Sequence, residues 1–285
     1  MDSPLLESQT RSQIDNFLTS PSNSLLLVGL PGVGKLTVAQ YLCRTLIINP
    51  LIPGSNYLHI EPIDGLISIE SIRSIVSFIK LKSTGDGDFN RCIIIDRAEA
   101  MNSAAQNTLL KTLEEPPMGT LIILCVDSIH SLLPTLISRL STIQIQKISK
   151  KSLINHFISE GYSEKDVNLA ALISDGRIGM AKSILSNKLD INLEVLTLAK
   201  ELIGMNKSDR LVKINSLSKD RKDTINLVDS LINIAKASLN SSAEKDNIKS
   251  IQIWNKVLAE SLQAREALMV NASQKLVLTK LFLAI

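Results

Sequence analysis

Residues 29–37 read GLPGVGKLT, a spacing of glycines and lysine that lets a backbone turn cradle phosphate. Gly29, Gly32 and Gly34 would let the main chain approach an anion closely, and Lys35 would add a point charge beside a helix N-terminus. The hydroxyl that should follow the lysine, to ligate Mg²⁺, is replaced by Leu36. Thr37 comes one residue late, turned about 100° round a helix, and cannot stand in for it. A second stretch, CIIIDRAEAMN, ends an apolar run on Asp96, where an acid would hold the Mg²⁺ hydration shell. The next position, where a glutamate would orient an attacking water, holds Arg97, which stays protonated and cannot act as a base. Glu99 lies two residues further on, past the strand end, and is not expected to reach the same place. Gly29, Gly32, Gly34, Lys35, Thr37 and Asp96 thus form a nucleotide-contacting set with both hydrolytic positions altered.

The elements that must position these groups alternate along the first half. SLLLVG (24–29), RCIIID (91–96) and TLIILCV (120–126) are short continuous apolar runs, the pattern of strands buried on both faces. NYLHIEP (56–62) and TIQIQ (142–146) read as two more. Helical periods fall between them, at about 35–48, 68–81, 102–115 and 132–140, and Ser68 is placed to cap the second. STGDGDFN (83–90) reads as a loop. Strands separated by helices predict a parallel sheet covered on both faces. From 149 onward the strands vanish. KKSLINHFISEG, SEKDVNLAALISDG and RIGMAKSILSN are three helices, and helical periods follow at 191–203, 208–218, 222–240, 247–264 and 266–284. The layout is an α/β domain, a small three-helix lid and a separate helical domain.

Composition sets the outer bounds. In 285 residues, 45% are hydrophobic but only 3% aromatic, so cores must be built from aliphatic side chains. The net charge of +3 allows contact with nucleic acid without arguing for it. Cys43, Cys92 and Cys125 form no C-x-x-C pair and read as separate buried thiols in a reducing compartment. MDSPLLESQTRSQ lacks the basic and apolar regions of a signal peptide, and no apolar run is long enough to span a membrane. A cytoplasmic protein is expected.

AEAMNSAAQNTLLKTLEEPP followed by LLPTLISRL resembles the AAA+ subunits of the bacterial DNA polymerase III clamp loader, most strongly delta-prime and then gamma and tau. IEPIDGLISIESIRSIVSFIKLKSTGDGDFNRCIIIDRAE is similar to the stretch those proteins carry between the phosphate loop and the second acidic box. The likeness covers roughly 20–185. It implies a P-loop AAA+ domain over 1–147, a helical lid over 148–187 and an oligomerising collar over 188–285. It also implies that Ser138 and Arg139 match the family's SRC motif, Leu140 replacing its cysteine, so that Arg139 serves as an arginine finger on a neighbour's ATP. From its position alone, Arg139 reads only as a cation at a helix C-terminus.

Three departures qualify the resemblance. The four-cysteine zinc module is missing from RTLIINPLIPGSNYLHIEP, so no zinc or other metal is expected. The sensor-1 position falls near Val126 or Asp127, and an aspartate there would repel a γ-phosphate. The sensor-2 arginine is replaced by Gly179, with Arg177 nearby and read as a surface residue. Lys150 and Lys151 read as a solvated helix start. The expectation is a delta-prime-like stator in a five-membered ring. It would partner gamma/tau, delta, the sliding clamp and primer–template DNA, with ATP binding left open and hydrolysis lost. The alternatives are an active gamma/tau-type ATPase, or a diverged AAA+ scaffold in DNA repair or recombination.

Overall fold

The computed structural model describes residues 3–47, 49–80, 88–186, 193–218, 220–243, 247–269 and 272–285. It divides into two compact units, Met1–Ile148 and Ser149–Ile285.

The first unit is built on β1 (Ser24–Val28), β2 (Tyr57–Ile60), β3 (Arg91–Ile95), β4 (Thr120–Val126) and β5 (Ser141–Gln144). All pairings are parallel, in the order β2-β3-β4-β1-β5. The central strands bury every residue, as their unbroken apolar runs predict. Alternate side chains feed two cores, one on each face of the sheet. Leu25, Leu27, Cys92, Ile94, Leu121, Ile123 and Cys125 pack beneath α1 (Ser8–Thr19) and α2 (Lys35–Leu46). Leu26, Val28, Ile93, Ile95, Ile122, Leu124 and Val126 pack beneath α3 (Ile69–Ile79), α4 (Ser103–Glu114) and α5 (Pro134–Ile137). The expected α/β class, with a parallel sheet between two helical layers, is what the chain forms.

Local signals set the helix limits. Ser68 caps α3, its hydroxyl accepting from the Ser71 amide at 3.1 Å, and Asn102 caps α4 through the Ala105 amide at 2.9 Å. The far end of α3 is closed by Arg91 of β3. Its guanidinium donates to the Phe78 and Ile79 carbonyls and lies 5.7 Å from the centre of the Phe78 ring. Burial lowers the pKa of this guanidinium, and it is kept inside by the helix-end carbonyls it satisfies. Residues 83–87 of the expected loop lie outside the described residues.

One expectation about the cysteines is corrected. Cys43 of α2 and Cys92 of β3, 49 residues apart, are joined as a disulfide with Cα atoms 5.9 Å apart. Helix α2 packs on the sheet above β3 and places both side chains in one fully buried layer. Sequence spacing carries no signal of that proximity. Cys125 remains a free, buried thiol.

The second unit is helical throughout its described residues. Helices α6 (Lys150–Ser159), α7 (Glu164–Ser174) and α8 (Ile178–Leu185) pack together, and α7 also meets α9 (Leu193–Gly204) and α11 (Arg221–Ala243). The longest helices, α11 and α12 (Ile248–Met269), lie against each other. Helix α13 (Gln274–Ala284) closes on α12 and α10 (Lys207–Leu217), burying Leu278, Leu281 and Phe282. Buried Arg210 donates to the Leu202 and Ile203 carbonyls at 2.8 and 3.1 Å, closing α9 as Arg91 closes α3.

Candidate functional site

The glycine loop leaves β1 at the carboxyl edge of the sheet. Gly29 donates to the Val126 carbonyl at 3.1 Å, tying the loop to the end of β4. A Cβ on Gly29 would stand 2.6 Å from the Ile145 carbonyl oxygen, so no larger residue fits there. Gly32 and Gly34 adopt φ of 81° and 99°, and Gly34 enters α2 in the left-handed conformation. No side chain caps this helix start, which leaves it open for an anion.

Lys35 is the first residue of α2 and is only 7% exposed. Its ammonium does not point into open space. Nζ donates to the Gly29 carbonyl at 2.6 Å, the Leu30 carbonyl at 3.2 Å and Asp127 Oδ1 at 2.7 Å. Asp127 directly follows β4, so the pair bridges two adjacent strand ends. Leu36 packs against the core beneath α2, while Thr37 is exposed to solvent. The missing Mg²⁺ hydroxyl is therefore not supplied by its neighbour.

Asp96 follows β3, its amide donating to the Ile60 carbonyl at 2.8 Å. Arg97 is exposed and holds a left-handed backbone with φ of 49°. Glu99, on the following 3₁₀ turn, feels both Asp127 and Lys35, and its carboxyl pKa is raised above the ordinary range, chiefly by burial. The buried Cys125 thiol is pushed up, first by burial and then by Asp96; Lys35 opposes the shift and Glu99 adds to it. Asp96, Glu99, Asp127 and Lys35 thus share one neighbourhood at the carboxyl ends of β3, β4 and β1. That edge is where open α/β sheets place ligands. Among the described residues, no group of three or more His, Cys, Asp or Glu could hold a metal ion.

Arg139 belongs to a different edge. It sits between α5 and β5, and the first residue of β5, Ser141, pairs with Leu25 near the amino end of β1. About 13 Å of strand separates that level from Gly29. The guanidinium donates to the Thr135 carbonyl at 2.7 Å, the Ser138 hydroxyl at 3.2 Å and Glu114 Oε1 at 2.7 Å. Glu114 is the last residue of α4 and lies in the TLEEPP stretch that the sequence resemblance singled out. The sequence reading missed this partner, and it missed Asp127 as the partner of Lys35. Gln106 of α4 was missed as well. Its amide donates to the Met101 carbonyl at 3.1 Å and accepts from the Leu133 amide at 2.8 Å, fixing the start of the segment that carries Arg139. In the second unit Arg177 precedes α8 and donates to the Ser174 carbonyl at 2.8 Å, while Gly179 lies in the first turn of α8.

Comparisons with known proteins agree with this arrangement. Residues 10–149 match the family model described as DNA polymerase III, delta subunit. The tau subunit of DNA polymerase III from Bacillus subtilis is 27% identical over 193 residues, 59% of this chain and 33% of its own. The delta-prime subunit from the same organism is 30% identical over 165 residues, 53% of this chain and 50% of its own. The alignments thus take in only a third to a half of these relatives' lengths. A solved structure of a gamma subunit-related protein from Thermotoga maritima superposes with a TM-score of 0.51 at 20% identity, covering 97% of this chain and 98% of that one, a likeness of fold alone. With the glycine loop, the strand-end acids and the parallel sheet all inside the matched region, residues 10–149 form a domain of the DNA polymerase III clamp-loader family.

Proposed function

We propose that the chain is a delta-prime-like stator of a DNA polymerase III clamp loader, whose working group is Arg139 acting on a neighbouring subunit's ATP. The observation that carries this reading is the position of Arg139, at the amino edge of β5, while its own glycine loop lies at the carboxyl edge. A guanidinium at that place cannot serve its own loop; partly exposed beside Glu114, it would meet another subunit by exchanging that surface ion pair. There it would stabilise charge on the transferring phosphoryl group, an effect worth roughly 10³–10⁵ in rate for fingers of this kind. The chain's own hydrolysis is lost, because Leu36 packs inward, Thr37 faces solvent and Arg97 stands where a water-orienting acid is needed.

The ring partners in this reading are gamma/tau and delta subunits, with the sliding clamp and primer–template DNA as substrates of the assembly. Residues 148–187 act as the lid and 188–285 as the collar that joins the ring. The proposed compartment is the cytoplasm, and no described helix is long and apolar enough to cross a membrane. The motor reading draws support from the match to a tau subunit and from retention of Lys35 and Asp96. Turnover by the purified chain separates the two. Negligible ATP hydrolysis supports the stator, and Lys35-dependent hydrolysis at motor-like rates overturns it.

A further inference from the structure

We propose that Asp127 is a built-in counter-anion that occupies Lys35 and keeps nucleoside polyphosphates out of the glycine loop. The proposal rests on reading 29–37 as a nucleotide-type loop and goes beyond loss of hydrolysis to loss of binding itself.

An ammonium has three N–H donors and no acceptor. All three of Lys35 are used within the chain, on the Gly29 and Leu30 carbonyls and on Asp127 Oδ1. A β- or γ-phosphate oxygen can be gripped only if one of these bonds breaks. The Asp127 bond is charge-assisted, at 2.7 Å, with the lysine 7% and the aspartate 38% exposed, so the ammonium side of the pair is shielded while the carboxylate side meets solvent. The surroundings repeat the message. Glu99 lies close enough to feel the charges of both Asp127 and Lys35, so a second carboxyl group adds to the negative field around the ammonium. One Glu99 oxygen is buried without a hydrogen-bond partner. A triphosphate arriving here meets a carboxylate where a working loop offers a cation. The glycines and the uncapped helix start still supply a backbone cradle, so the obstacle is the acid and not the shape of the loop.

The test is titration of the full-length chain with a fluorescent N-methylanthraniloyl ADP or ATP in the presence of Mg²⁺, with ATP turnover followed in the same samples. The unmodified chain should show no saturable binding. Asp127→Asn keeps the shape, removes the charge and should bind at least about tenfold more tightly. Lys35→Ala added to that variant should abolish the gain. Saturable binding by the unmodified chain that depends on Lys35 would overturn the proposal whether or not any variant folds. A folded Asp127→Asn, or Asp127→Ser if the first melts early, that gains nothing would overturn it equally. Binding without turnover sinks this inference and leaves the stator reading standing, whereas turnover sinks the stator reading.

Discussion

Arg139 keeps about a third of its side chain in solvent and Glu114 nearly half, at 35% and 47%. Their ion pair is therefore screened and adds no more than about 1 kcal/mol to folding. Arg139→Ala should leave the thermal midpoint almost unchanged, so any loss it causes in an assembled ring reports function and not stability. Lys35 differs, since its charge is buried and every donor is taken. Glu99 adds a pH signature. Its raised carboxyl pKa means that its protonation favours the folded chain. That contribution is complete below the ordinary carboxylate range and is lost as pH rises through the raised value. Glu99→Gln should flatten the stability curve in the window directly above the ordinary carboxylate range, and chemical denaturation at stepped pH measures it. The defects at Leu36 and Arg97 were legible in the sequence, because each is a wrong residue type at a fixed offset. The pairings of Lys35 with Asp127 and Arg139 with Glu114 were not, because each joins residues 92 or 25 positions apart that only the folded sheet and helices bring together.

Elements show the same division. β1, β3 and β4 could be placed within a residue because unbroken apolar runs leave few alternatives. The break between the last two helices was expected near 265, yet α12 continues to Met269 and α13 begins at Gln274. No glycine or proline marks that break, and the apolar period runs on past it. Close contacts between elements yield predictions of their own. Gly29→Ala should destabilise by about 1–3 kcal/mol in urea unfolding, because its methyl would press on the Ile145 carbonyl. Arg91→Met keeps much of the stem but strips the C-terminal carbonyls of α3 of their donor, and should cost about 1–3 kcal/mol in the same assay.

For the whole molecule, the alternating pattern of the first half and the all-helical second half gave the architecture, while the Cys43–Cys92 bond was beyond its reach. That bond sits least easily with a reducing cytosol. Quenching intact cells with acid and alkylating the thiols under denaturing conditions separates the possibilities: three alkylated cysteines per chain support the cytoplasmic reading, and a single alkylated Cys125 contradicts it. The central claim, that this chain's chemistry faces its neighbour, is tested most directly by steady-state ATP turnover of a ring reconstituted from this chain and a motor subunit with intact nucleotide motifs. With Arg139→Ala in place of the unmodified chain, turnover at the adjoining site should fall by about 10³-fold or more while the ring still assembles. Unchanged turnover in an intact ring would contradict the claim.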